Sequence, residues 1–195
     1  MVNNHTLEFL SKTQKLKSAV RHSWTDNINR QESTAEHTWH MGIMAMAFYK
    51  NLQNEVVLEK VLQLITIHDL AEALTGDVPA WAETRTNKFE EEGKALTEIL
   101  KTLPAEPQEE IRGLWLEYEE GKTPEARFVK MLDLIDVYFQ HLMADVSTWH
   151  EVEWKVNLEL SPKSATLLQE EPFIWELYQG IHEELVKKVE KSRGN

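Results

Sequence analysis

The chain has 195 residues, 42% apolar and 28% charged, a balance that excludes a disordered segment and suits one compact domain over 1–195. A formal net charge of −12 with no dense Lys/Arg stripe makes a nucleic acid polymer a poor partner, and the lack of cysteine leaves only nitrogen and oxygen to hold a metal. No apolar run reaches about 18 residues and the start, Met1-Val2-Asn3-Asn4-His5, has no secretion-signal character, so the expectation is no membrane span and a cytoplasmic location.

Helical spacing dominates, and strand-like alternation is scarce. A first amphipathic helix is expected over 5–20 through Leu7, Leu10, Leu16 and Val20, followed by a polar, irregular stretch over 21–32. Ser33 with Glu36 three positions on reads as a capping box. The helix it opens runs to about Asn51, with Met41, Met44, Ala45 and Phe48 on its apolar face. Another helix is expected over roughly 55–74, broken by Thr75-Gly76-Asp77-Val78-Pro79. An acidic helix over about 86–101 follows, with Glu90, Glu91 and Glu92 as a solvated face. Pro104 and Pro107 mark the entry to a helix that ends at Gly121. Pro124 opens a long helix to about Ser147 that carries Phe128, Met131, Leu132, Ile135, Tyr138, Phe139 and Leu142. Residues 149–163 show no clear period, and Glu171-Pro172 opens a last helix to about Lys191. The fold class expected is all-α.

His68 and Asp69 follow directly on the apolar run Val61-Leu62-Gln63-Leu64-Ile65-Thr66-Ile67. Burying a histidine and a carboxylate there is costly unless a partner compensates, and a divalent cation does so most economically. Asp69 and Glu72 are three apart and His68 and Glu72 four apart, so one helix presents all of them to a shared cavity. His37 lies early on the preceding helix, which an antiparallel arrangement brings against His68. A further oxygen ligand is required, and Asp133, between Met131-Leu132 and Leu134-Ile135, is the best donor.

These residues resemble the signature of the HD-domain metal-dependent phosphohydrolases: a separated His, a His-Asp pair and a later Asp. The likeness to the HD-domain 5′-deoxynucleotidases is closer still. Glu32-Ser33-Thr34-Ala35-Glu36-His37 looks like their opening motif, and His68-Asp69-Leu70-Ala71-Glu72 with Thr75-Gly76-Asp77-Val78-Pro79 looks like their central block. Trp115-Leu116-Glu117-Tyr118-Glu119 and Ala126-Arg127-Phe128-Val129-Lys130-Met131-Leu132-Asp133 resemble the segments before their last ligand. The likeness covers about residues 15–140, with C-terminal helices over 149–192 packing on that core.

The resemblance implies a compact helical HD-domain bundle. It implies a divalent cation (Mn, Co, Fe or Zn) held by His37, His68, Asp69 and Asp133. The implied reaction removes the 5′-phosphate from deoxyribonucleoside 5′-monophosphates by attack of an activated water. Glu72 then orients or deprotonates the water, Asp77 lies near the sugar and the reaction centre, Arg21 holds the phosphate, and Trp24 contacts base or sugar. A small-molecule nucleotide is the implied partner, and a homodimer the implied assembly. His40 matches no ligand position of the family and reads as structural or as support for a ligand, Asp136 and His141 read as structural, and Lys130 as an exposed lysine. Trp149, Trp154 and Trp175 lie outside the matched blocks and read as packing a helix pair or a subunit interface.

Two other readings stand beside this one. An HD-domain phosphodiesterase or guanosine tetraphosphate hydrolase keeps the fold and changes the substrate. The tetraphosphate hydrolases carry an acidic pair four residues after the His-Asp, whereas Glu72 here is followed by Ala73. A non-catalytic metal-binding interaction module has no need for Arg21, Glu72 and Asp77 together.

Overall fold

The computed structural model describes residues 4–25, 30–79 and 87–193. Its elements are α1 (Asn4–Thr13), β1 (Val20–Trp24), β2 (Gln31–Ser33), α2 (Thr34–Phe48), α3 (Leu58–Ile67), α4 (Glu72–Thr75) and α5 (Lys88–Leu100). They continue with α6 (Ala105–Glu120), α7 (Pro124–Met143), α8 (Glu151–Val156), α9 (Pro162–Leu168) and α10 (Pro172–Arg193). Short 3₁₀ turns extend α1 at Gln14–Lys17 and α2 at Tyr49–Asn51. Among the described residues, the antiparallel β1–β2 pair is the only sheet, and no helix is long and apolar enough to cross a membrane.

The long helix α7 is the axis of the molecule. Thr123 caps it by accepting from the Ala126 N–H at 3.2 Å, and Pro124 occupies its first turn, where a missing N–H costs nothing. Gly121 precedes it in the left-handed conformation (φ 60°), closing α6; a Cβ there would stand 2.7 Å from Lys130 Cε. α7 buries Phe128, Val129, Met131, Leu132, Ile135 and Tyr138 against α2, α3, α6 and α10. Tyr138 meets Tyr178 of α10 edge to face at 5.2 Å, and Trp149 joins the same core. Trp154 packs on Trp149 and Trp175 on Tyr178, so these tryptophans cover the core from within the chain.

A second apolar cluster sets α5 and Trp115 under Leu70, Ala71 and Ala73. Ile67 packs against both clusters, so the His68–Asp69 pair falls at their junction.

Several sequence expectations need correction. The first helix stops at Thr13, and the two ends of the stretch read as irregular form the antiparallel pair β1–β2. Val20 begins a strand there, and the Thr34 N–H bonds back to the Ala19 carbonyl at 2.9 Å. The helix expected over 55–74 breaks after Ile67. Leu70, Glu72, Ala73 and Leu74 donate three residues back, to the carbonyls of Ile67, Asp69, Leu70 and Ala71, which tightens the backbone into 3₁₀-like turns. At three residues per turn, Asp69 and Glu72 stay on one side. α7 ends at Met143 rather than near Ser147, and residues 149–163 hold α8 and the start of α9. The expected start of the acidic helix, Thr86, lies outside the described residues. Glu90 and Glu91 are exposed as expected, but Glu92 is buried and pairs with Lys88 at 3.2 Å. Lys130 is half-buried, with Nζ 4.0 Å above the Tyr118 ring.

Candidate metal centre

The capping box at Ser33 sets where α2 begins. Ser33 Oγ accepts from the Glu36 N–H at 3.3 Å, and the Ser33 N–H donates to Glu36 Oε2 at 3.0 Å. His37 follows in the first turn of α2 and is fully buried. His68 caps the C-terminus of α3, and its Nδ1–H donates to the Ile65 carbonyl at 2.7 Å. That bond turns Nε2 away from α3, toward His37; the two rings are 5.6 Å apart. Asp69 follows directly, and Asp133 comes from the middle of α7.

The donor atoms converge. His68 Nε2 is 3.0 Å from Asp69 Oδ2, and His37 Nε2 is 3.9 Å from the same oxygen and 3.2 Å from Asp133 Oδ1. Ligands roughly 2.0–2.2 Å from one ion stand about 3 Å apart when adjacent and about 4 Å apart when opposite. The spacings among His37, His68 and Asp69 therefore suit one cation, and Asp133 adjoins that group through His37 Nε2. Both Nε2 atoms are buried without a hydrogen-bond partner, although each ring's Nδ1 is bonded. Buried imidazole nitrogens left open toward two carboxylates fit a divalent ion. The Asp133 side chain retains 32% exposure and Asp69 10%, so the hollow opens to solvent on the Asp133 side.

The electrostatics point the same way. Burial and Arg21 both oppose a positive charge on His37, yet the Asp133 and Asp136 carboxylates beside its ring prevail and hold its pKa up at about 10. Burial likewise opposes ionisation of Asp69, yet His68, His37 and Arg21 hold it well below the usual carboxylate range. The pocket is a sink for positive charge. Glu72 is 2% exposed, and burial, then Asp69 and Asp77, push it up to about 9. The Thr34 hydroxyl donates to Glu72 Oε2 at 3.0 Å and fixes its direction.

Arg21 is buried on β1, with a guanidinium nitrogen 3.6 Å from Asp69 Oδ2 and Nε 3.5 Å from Glu32 Oε2. Burial along β1 alternates, with Arg21 and Ser23 buried and His22 and Trp24 half-buried. Trp24 is tied through its backbone carbonyl to Gln140 of α7. Gly76 (φ 74°, ψ 164°) adopts a conformation open essentially to glycine alone and redirects the chain after α4. Asp77 then comes to 3.8 Å from His22 Nδ1. The structure thus brings His37, His68 and Asp69 together with Asp133 beside them, sets Arg21 against Asp69, puts Asp77 beside His22, and ties Trp24 to α7 through its backbone.

Asp136 supports the site more closely than its sequence reading implied. Its Oδ2 accepts from His37 Nδ1 at 2.6 Å, and its Oδ1 bonds His40 Nδ1. Glu32, His37 and Asp136 also come within 4.8 Å of one another, but the short His37–Asp136 bond makes this group a brace for His37. Asp136 lies one turn after Asp133 in the same apolar segment, and the reasoning that singled out Asp133 applies equally to it. Tyr118, too, has a part that its sequence gave no reason to expect: its hydroxyl donates to Asp133 Oδ2 at 3.3 Å, and its ring stands edge-on to His68 at 5.2 Å.

Comparison with known proteins bears on this site. The HD domain family model matches residues 13–175. The chain is 34% identical over 136 residues to the human 5'-deoxynucleotidase HDDC2, covering 69% of this chain and 65% of that protein. It is 33% identical over 160 residues to the Dictyostelium discoideum protein of the same name, covering 78% of this chain and 84% of the relative. A crystal structure of a predicted metal-dependent phosphohydrolase from Magnetospirillum magnetotacticum superposes with a TM-score of 0.80 at 26% identity, covering 95% of this chain and 93% of that one. With the His, His-Asp and Asp gathered at one hollow and a family match that runs from the end of α1 into α10, the chain belongs to the HD domain family.

Proposed function

We propose that this protein is a metal-dependent phosphohydrolase that removes the 5′-phosphate from deoxyribonucleoside 5′-monophosphates. The observation that carries the reading is the convergence of His37, His68, Asp69 and Asp133 beside a buried arginine. His37 and His68 would hold the ion through Nε2, and Asp69 and Asp133 through one oxygen each. A bound divalent ion of the Mn, Co, Fe or Zn class supplies charge neutralisation and a lowered pKa for water.

The chain's own groups do the rest. Arg21 grips the phosphoryl oxygens, to which a guanidinium offers paired donors. It exchanges its contacts with Asp69 and Glu32 for that anion. Glu72, held by Thr34, orients the attacking water and accepts its proton. Its pKa, pushed up to about 9 by burial, would be lowered by a bound cation toward neutral pH, where a carboxylate can accept a proton. Asp77 faces the sugar, and Trp24 lines the base or sugar side.

Supporting the substrate class are the names of the human and Dictyostelium discoideum relatives. The chain spans about 65% of the length of the human protein, and the activity rests on the site as much as on that likeness. The lack of cysteine supports a cytoplasmic location. A homodimer is supported by Trp39, Ile43 and Met46, which share an exposed face of α2. One domain over the whole chain is supported by the packing of α10 on α7.

The test is phosphate release from metal-loaded protein. Turnover of dAMP, with a 3′-monophosphate and a cyclic dinucleotide left intact, supports the proposal. Turnover of the cyclic dinucleotide favours a phosphodiesterase, and no turnover of any of the three rejects it.

A further inference from the structure

A second cluster of metal-type donors lies outside the set just described. His22 of β1, His141 of α7 and Glu153 of α8 offer ligand atoms within 4.8 Å of one another. His22 Nε2 is 3.1 Å from Glu153 Oε1, and His141 Nε2 is 3.2 Å from the same oxygen. These are the separations expected of adjacent ligands about 2.0–2.2 Å from one ion.

The surroundings fix each donor. His141 Nδ1–H donates to Asn157 Oδ1 at 2.6 Å, which leaves a lone pair on Nε2. The Glu153 carboxylate accepts from the His150 N–H at 2.5 Å through Oε2, which leaves Oε1 turned inward. His141 and Glu153 are each 2% exposed, and neither His141 Nε2 nor Glu153 Oε1 has a hydrogen-bond partner. Two acceptors facing each other in a buried space repel unless something positive lies between them. A histidine whose second nitrogen is tied to an amide oxygen, beside a carboxylate tied to a backbone N–H, has the outer support typical of metal ligands.

We propose that His22, His141 and Glu153 form a second cation site, selective for a borderline ion such as zinc or cobalt. The ligand set is two imidazoles and one carboxylate, which suits such ions better than magnesium or calcium. It joins β1 to α7 and α8, which lie much later in the chain. The hairpin strand that carries Arg21 is thereby tethered to α7 and α8. The Trp149 ring, 6.0 Å from that of His141, walls the site on the core side.

The test is a count of bound ions. Full-length protein, stripped with chelator, is titrated with Co²⁺ and Zn²⁺, and bound metal is measured per chain. Glu153→Gln and His141→Gln should each bind one ion fewer than wild type, with affinity for that ion weakened by more than about 100-fold. Asp69→Asn should lose the other ion and keep this one, so failure at one site is distinguishable from failure at the other. In the Asp69→Asn background zinc should still raise the melting temperature, and adding Glu153→Gln should abolish that rise. His22→Gln, at a half-buried strand position, serves should the buried variants fail to fold, and it should lose the same ion. Unchanged stoichiometry in His22→Gln and Glu153→Gln, or complete loss of metal in Asp69→Asn, overturns the proposal.

Discussion

Replacing Asp136 by Asn tests how the site prepares its first histidine. Asp136 is 1% exposed and accepts from two imidazoles, at 2.6 Å from His37 Nδ1 and again from His40 Nδ1. With an ion bound, that bond would keep the His37 proton on Nδ1 and leave the Nε2 lone pair to the ion. Asparagine keeps the shape but offers one oxygen and one NH₂ group. With two imidazole N–H groups to satisfy, one now faces a donor. If His37 meets the NH₂ group, its proton moves to Nε2, the atom that must bind the ion. A buried charge-assisted hydrogen bond of this kind is worth about 1.5–3 kcal/mol. Losing it should weaken divalent-ion affinity about 10- to 100-fold. The assay is a competitive Mn²⁺ or Co²⁺ titration against a chelator, with melting curves to show that Asp136→Asn is folded. Affinity within about threefold of wild type in a folded Asp136→Asn would refute the reasoning, because the His37 tautomer would then not depend on Asp136.

Glu72→Gln should retain metal and substrate binding and lose about 10²- to 10⁴-fold in kcat, while an unchanged kcat removes Glu72 from proton transfer. Arg21→Ala should raise KM for the monophosphate or lower kcat, and no change in either contradicts its place at the phosphate. Glu36→Ala should destabilise the fold by about 0.5–1 kcal/mol through loss of the side-chain half of the α2 capping box, a modest figure because the Glu36 side chain is 44% exposed. Hydrogen bonding from Arg30, then from Ser33, holds Glu36 down to about 2 from its usual 4.5. A depressed carboxylate stabilises above its unfolded value and loses that contribution as pH falls through the folded one. The stability gap between wild type and Glu36→Ala should therefore be full above about pH 4.5 and close toward pH 2; denaturant midpoints across that range give the answer, and a gap independent of pH counts against it.

Much of the site was readable because its residues clash with their surroundings. A His-Asp pair after Val61–Ile67 and a carboxylate between Leu132 and Leu134 stand out where burial favours apolar side chains. Ser33 with Glu36, and Gly121 followed by Pro124, located helix ends through local chemistry that needs no tertiary partner. The β1–β2 hairpin was hidden because Val20-Arg21-His22-Ser23-Trp24 has no apolar alternation. Its inward residues, Arg21 and Ser23, are polar and are buried against Glu32 and Asp69, so only the fold makes the strand sensible. The break at His68 was hidden for a related reason. The apolar period continues through Leu70 and Ala71, and the tightening depends on backbone bonds three residues apart and on the His68 ring taking the Ile65 carbonyl. Glu92 was read as solvated because its neighbours are acidic, yet α5 turns it inward beside Lys88.

The account stands on one cation shared by groups from α2, the turn after α3, and α7. Crystals loaded with Mn²⁺ or Co²⁺ and measured at the metal's absorption edge test this directly. The expected result is an anomalous peak within about 2.0–2.3 Å of His37 Nε2, His68 Nε2 and one oxygen each of Asp69 and Asp133. A loaded crystal with no density among those four side chains would contradict it.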